Sequence, residues 1–342
     1  MARPVSNPNR TDSASGASTV DARAGRSRRT KLLAWQGFTL QVPPGWDLTG
    51  FSGDSATGYL RADDSEELGI EIKWETESKR RKAPDVSVRR EGYLNTLART
   101  ARKKRIEFES KDLDALRTVQ RPERDAVGFQ WVGDRKAIGA VWHCRLSRRI
   151  VIVQVLGHSS GRGGLSTIAE DVLGSLECRD AEPGQRVWAI YDLITTVPSD
   201  FALVQSQLMN VTLRLSFARG AHRLSVEQWS AASVARGSAY LDDWLRANSR
   251  AELREARFRV EEAAVNDLPA IRLVGGPALG KPMAKVVSDA LQLQRPATRF
   301  QALAWEDARA NAVFAVQEMR PRRAISLVDA VASQTRAAED PS

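Results

Sequence analysis

Phe38-Thr39-Leu40-Gln41-Val42 alternates apolar and polar positions, the period of a half-buried strand. Pro43-Pro44-Gly45 ends it in a turn. Gly58–Arg61 and Leu68–Trp74 predict two more strands. Val86, Tyr93, Leu94, Leu97, Ala98 and Ala101 then fall on one stripe, so a helix is expected from Val86 to about Arg102. Strands follow around Gly128–Val132, Ala137–His143 and Arg149–Val155. A helix from about Leu165 to Leu176 closes the series, with Ile168, Ala169, Val172 and Leu173 on its apolar face. The order β-β-β-α-β-β-β-α predicts an α+β class, an antiparallel-rich sheet with helices packed on it.

The series occurs twice. Val42-Pro43 precedes Trp74 by the same thirty-two residues that separate Val197-Pro198 from Trp229. Within that window Trp46 matches Phe201, Leu48 matches Leu203 and Leu60 matches Leu215. Trp35 and Trp188 stand before the two windows. Trp142 precedes Gln154 by twelve residues, as Trp305 precedes Gln317. Three landmarks in one order predict two tandem homologous α+β units, residues 34–180 and 187–335. Helices of the second unit are expected near Ser238–Glu252 and Ile325–Ser333, and a loop over 275–296. Leu68, Ile70, Ile72 and Trp74 alternate, whereas Leu224 and Val226 fall out of step with Trp229. A bulge or a one-residue shift is expected there. The six repeated Trp read as core.

The motif Phe38-Thr39-Leu40-Gln41-Val42-Pro43-Pro44-Gly45-Trp46, with the element order that follows it, resembles the PsbP-like superfamily. The resemblance covers both units. In the second it rests on Val197-Pro198-Ser199-Asp200-Phe201 and the order of elements. It implies a PsbP-like fold in each unit and a non-catalytic module that binds proteins or docks on larger assemblies. It carries over no site residue.

Charge adds one feature. Of the net +9, residues 1–31 contribute +5, and the rest of the chain is nearly balanced. Residues 1–33 lack aromatics and periodicity and read as a disordered basic tail, and residues 336–342 as a disordered end. No apolar run approaches the ~20 residues of a membrane helix. No secretory signal is visible, and Asp12 and Asp21 argue against a transit peptide, so a cytoplasmic location is expected.

Candidate chemistry is sparse. Lys79, Arg80, Arg81 and Lys82, with Arg102, Lys103, Lys104 and Arg105, form a candidate basic contact patch. Aromatic interleaving is absent from both clusters. Arg162, Gly163 and Gly164 precede a helix and are candidate anion-binding residues. His143-Cys144 could form a thiolate nucleophile. Adjacent strand residues point to opposite faces, however, which argues against a shared proton. Two Cys and three His lack zinc-ligand spacing. No catalytic, cofactor-binding or metal residue is assigned and no cofactor is expected. The reading favours a non-catalytic protein-binding or scaffolding module that uses a groove or sheet edges between the units, with an unidentified protein partner. Two alternatives stay open: nucleic-acid association through the tail and residues 79–105, and a small-molecule enzyme using the His143-Cys144 region.

Overall fold

A computed structural model describes residues 29–64, 66, 68–78, 85–113, 117–158, 164–180, 182–209, 211–248, 257–276 and 299–338. In the first half, β1 (Lys31–Trp35) and β2 (Phe38–Val42) form a hairpin. Its turn, Gln36-Gly37, has positive φ at both residues, the geometry that matches strand twist. Then come β3 (Asp47–Gly53), β4 (Thr57–Asp63), β5 (Gly69–Thr76), α1 (Val86–Lys104), β6 (Glu109–Leu113), β7 (Arg124–Val132), β8 (Arg135–Cys144), β9 (Arg149–His158) and α2 (Leu165–Ser175). The second half runs β10 (Gln185–Ile190), β11 (Leu193–Pro198), β12 (Ala202–Leu208), β13 (Thr212–Arg219), β14 (His222–Ser230), α3 (Ala232–Arg236), α4 (Leu241–Asn248), β15 (Arg257–Val265), β16 (Leu268–Gly276), β17 (Arg299–Asp307), β18 (Ala312–Arg320), α5 (Val328–Ala332) and β19 (Arg336–Ala337).

These strands form three antiparallel sheets. The first has the order β3-β4-β5-β9-β8-β7-β6 and the second β12-β13-β14-β18-β17-β16-β15, position for position the same. The β3·β4 and β12·β13 edge pairs each carry a bulge at the same place, between Leu48 and Gly50 and between Leu203 and Gln205. The third sheet, β19-β11-β10-β1-β2, is built from both halves. Its middle is the β1·β10 pair, in which Ala34 faces Ala189. Trp35 and Trp188 meet across it edge to face at 5.2 Å. Leu33, Trp35, Trp188 and Ile190 belong to one buried cluster that also holds side chains of both seven-stranded sheets, α2 and α5. Joining the halves through this sheet produces one continuous core.

The α+β expectation is corrected. Strands hold 54% and helices 19% of the described residues, so the fold is β-rich. The main reason lies at the sheet edges. β3, β6, β12 and β15 are edge strands with sequences such as Glu109-Ser110-Lys111-Asp112-Leu113, mostly exposed along their length. An edge strand shows little apolar alternation and reads as a connection. Within the described residues, the expected helix Ser238–Glu252 contains α4 of eight residues, with 249–252 outside them, and Ile325–Ser333 contains α5 of five. Residues 31–33, expected in the tail, belong to β1, and Arg336–Ala337, expected in the disordered end, pair with β11 as β19. The rest of the expected tail (1–28), most of the 275–296 loop and residues 339–342 lie outside the described residues.

Of the helices, α1 is the longest. Asp85 caps it by accepting from the N–H groups of Ser87 and Val88. Val86, Leu94 and Ala101 are its buried positions, and the first two join a cluster with Phe129, Trp131, Val141 and Ile150 of the first sheet. Arg105 ends it in the left-handed conformation, at φ 58°.

Strand register resolves the phase slip. Leu60 faces Ile72 and Leu215 faces Val226, so Leu224 and Val226 are the counterparts of Ile70 and Ile72. Trp74 then corresponds to Gln228, because Gly58 faces Trp74 as Leu213 faces Gln228. Trp229 takes the place of Glu75. The turn between β13 and β14 is one residue shorter than its equivalent in the aligned register, and a shift of one residue moves a side chain to the other face. Trp74 therefore packs on Phe38 in the shared core, at 5.0 Å. Trp229 points to the helix-covered face instead and is only half-buried, which corrects its expected pairing with Trp74.

Candidate functional site

A groove of about 440 Å³ lies on the helix-covered face of the first sheet, beside the start of α1. Strand pairing assembles it. Lys73 faces Ile152 and Glu75 faces Ile150 across β5·β9, and Tyr59 faces Lys73 across β4·β5. Ile150 and Ile152 supply an apolar floor; Lys73, Glu75 and Arg89 form an exposed charged rim. One wall is α1, whose outward side exposes Arg89, Arg99 and the last-turn cations.

The Lys73 ammonium sits 5.9 Å from the Tyr59 ring and 5.4 Å from the Tyr93 ring, within reach of cation–π attraction. Among the described residues it makes no ion pair with a carboxylate of the kind Arg89 makes with Glu75 at 3.8 Å. Behind the rim runs a polar chain. Tyr59 donates its hydroxyl to Glu71 at 3.1 Å, Gln154 donates to Glu71 at 3.0 Å, and Trp131 donates its indole N–H to Gln154 at 2.9 Å. Burial, with the Glu71 carboxylate second, pushes the Tyr59 phenol up to about 12. Burial first, then Glu71, also raises the Tyr93 phenol. Both rings stay neutral and Tyr59 stays a donor.

The second sheet answers each of these residues differently. Arg214 replaces Tyr59 and bonds Glu227, which replaces Lys73, at 2.9 Å. Trp229 replaces Glu75 and meets Trp244 of α4 at 5.3 Å, nearly perpendicular. This pair packs with Val313, the counterpart of Ile150. The first half thus keeps a groove where the second half places two indoles.

A second cluster lies at the far end of β8. Cys144 and His143 point apart: His143 Nε2 lies 3.3 Å from Glu77 Oε2. The partner of Cys144 is Cys178, just past α2. The Cys144 sulfur accepts from the Cys178 thiol, and burial opposes that effect. The Ser147 hydroxyl donates to Cys178 Sγ at 3.8 Å, and the bond from Cys178, with the Leu146–Ser147 turn, holds the Cys144 thiol below its ordinary value. The same hydrogen bond and burial push the Cys178 thiol up. Both cysteines are free and buried, and Cys178 lines a polar cavity of about 330 Å³ with Arg149, Asp180 and Arg186.

Of the residues singled out in the sequence, Arg102, Lys103, Lys104 and Arg105 form an exposed cationic last turn on α1, where the helix dipole favours them. Gly164 is the left-handed N-cap of α2. Lys79–Lys82, Arg162 and Gly163 lie outside the described residues. Among the described residues no group of three His, Cys, Asp or Glu could hold a metal ion, and no helix is long and apolar enough to cross a membrane. Sequence reasoning missed Tyr59, Lys73, Glu75, Ile150 and Ile152. The available signal was the out-of-step Trp229. No protein-family model matches the chain, and no curated protein matches it.

Proposed function

We propose that this chain is a non-catalytic binding module whose first half receives an extended acidic segment of a protein partner. The segment lies across the groove beside α1, sets one apolar side chain on Ile150 and Ile152, and places a carboxylate on Lys73. The second half acts as a structural copy. One observation carries this reading: the groove is open where Glu75 stands and occupied where its counterpart Trp229 stands. An apolar floor beside a cationic rim suits one apolar side chain flanked by a carboxylate. The cations of α1 and Lys73 favour an acidic occupant. The binding role implied by the PsbP-like resemblance points the same way. A cytoplasmic location belongs to this proposal, supported by two free thiols that a reducing compartment would preserve.

The test uses the full chain and an array of twelve-residue peptides carrying Asp or Glu around a central Leu or Phe. A bound subset is expected, with affinity reduced at least tenfold by Lys73→Glu and by Glu75→Trp, which installs the second half's indole, while the melting temperature holds. Peptides bound equally by the Glu75→Trp chain overturn the reading. So does displacement of bound peptide by single-stranded nucleic acid at equal concentration, which would instead assign the basic helix to polyanions.

A further inference from the structure

The hairpin turn after β8 has a counterpart after β17, and the comparison explains Cys144. Cys144 faces Arg149 at the end of β8·β9, and Asp307 faces Ala312 at the end of β17·β18. In the second half the Asp307 carboxylate accepts from the N–H groups of Arg309 at 3.0 Å and Ala310 at 3.3 Å. The equivalent N–H groups in the first half are those of Leu146 and Ser147, and they help to hold the Cys144 thiol below its ordinary value. The turn has the same length in both halves and places its N–H groups on the same side chain position. A carboxylate fills it once and a sulfur fills it once.

The sulfur has a neighbour that the carboxylate lacks. Cys178 packs in the same buried cluster as Cys144, and the Ser147 hydroxyl, three residues past Cys144, donates to Cys178 Sγ at 3.8 Å. Arg124, beside Cys144 in the β7·β8 register, donates to the carbonyl of Leu176 at 2.6 Å and so holds the segment that carries Cys178. Glu177 is held from the other side by its bridge to Thr39. The two sulfurs are therefore kept together from both flanks. Cys178 opens on the polar cavity, where Arg149 and Arg186 add positive charge.

We propose that Cys144 and Cys178 are a redox-active pair, oxidised to a disulfide by a small hydroperoxide that enters through this cavity. The Cys144 thiolate attacks one peroxide oxygen: an S–O bond forms and the O–O bond breaks. The departing oxyanion takes the Cys178 proton and leaves as water or an alcohol. The Cys178 thiolate then attacks the Cys144 sulfenic sulfur. The S–S bond forms, the S–O bond breaks, and hydroxide leaves with a solvent proton as water. Two sulfurs are oxidised by two electrons in total, and the peroxide is reduced by two.

Hydrogen peroxide is the probe, applied to the full folded chain and read by peptide mass mapping without reductant. A Cys144–Cys178 disulfide is expected that dithiothreitol reverses. Cys178→Ser is expected to stop at a sulfenic acid on Cys144, trapped by dimedone. Cys144→Asp copies the residue of the second half and so keeps the turn. Its Cys178 is expected to oxidise at least tenfold more slowly than in the parent chain. A parent chain that keeps both thiols until it unfolds overturns the proposal. Oxidation of Cys178 at the parent rate in the Cys144→Asp chain also overturns it.

Discussion

Ala34 lies directly opposite Ala189 across the β1·β10 pair, and each stands at the same place in its own hairpin, one residue before the position that closes the turn. The two halves meet at equivalent positions, in the pattern of a local twofold. Both alanines are fully buried, and the side chains flanking them enter one common core. The halves are thus expected to unfold together. Trp188→Ala removes a ring packed on Trp35 and on Phe217 at 5.1 Å, one from each half. A cost of about 3–5 kcal/mol is expected for such a truncation. Differential scanning calorimetry should show one peak, shifted down as a whole. Two peaks, with only one of them moved, would contradict a shared core.

Trp229 and Glu75 predict opposite responses on the two sheets. Trp229→Ala strips the ring that meets Trp244 and exposes Val313. Because Trp229 is only half-buried, the loss should be about 2–4 kcal/mol, at or below the usual range for a core Trp. Glu75→Ala removes a rim carboxylate paired only at 3.8 Å with exposed Arg89, and should change stability by less than about 1 kcal/mol. Urea titrations of the two variants check the contrast. Equal destabilisation would contradict the assignment of Trp229 as a plug and Glu75 as a rim.

Gly139 marks a tight point at the centre of the first sheet. A Cβ there would lie 2.4 Å from the Val153 carbonyl oxygen and 2.5 Å from the Phe129 ring. Phe129 is fully buried beneath α1, so neither neighbour can give way. Gly139→Ala should cost about 1–3 kcal/mol through overpacking. Near-ultraviolet circular dichroism should register the displaced aromatic cluster, and an unchanged spectrum with unchanged stability would refute the close approach.

Glu318 ties acid stability to the second half. Burial alone would raise its carboxyl. Bonds from His222 at 2.7 Å, from the Ser326 hydroxyl at 2.7 Å and from the Leu327 N–H at 2.9 Å outweigh burial and hold it below the ordinary 4.5. A carboxylate lowered by folding contributes stability fully above its unfolded value, and that stability is lost as pH falls through the lower folded value. Unfolding free energy measured against pH should therefore decline below 4.5 in the parent chain. Glu318→Gln should start lower and show a flatter decline. Parallel curves for the two chains would remove Glu318 as the source.

The repeat was legible because its landmarks are buried aromatic and aliphatic side chains at fixed spacing. Trp142 and Trp305 occupy matching positions on β8 and β17, both buried. The central strands were legible too, since β5 alternates cleanly and β8 and β9 carry runs of apolar residues. Edge strands were not. Glu109–Leu113 is mostly exposed and keeps its place through backbone bonds to β7, which leave little trace in side-chain pattern. The groove was illegible for a related reason. Its residues are charged or aliphatic and ordinary one by one, and only the register of β5 against β9 sets Lys73 on Ile152 and Glu75 on Ile150.

By itself, the sequence marked a repeated series of buried landmarks and located most of the central strands and the long helix α1. These follow from local period and from the spacing of large apolar residues. Only the tertiary structure decided that the fold is β-rich, that the halves share a sheet through Ala34 and Ala189, and that Trp229 answers Glu75 rather than Trp74. It alone brought Cys178 to Cys144. Each of these depends on pairing between segments distant in the chain. A one-residue change of register costs nothing in composition, yet it turns a side chain from one face of a sheet to the other.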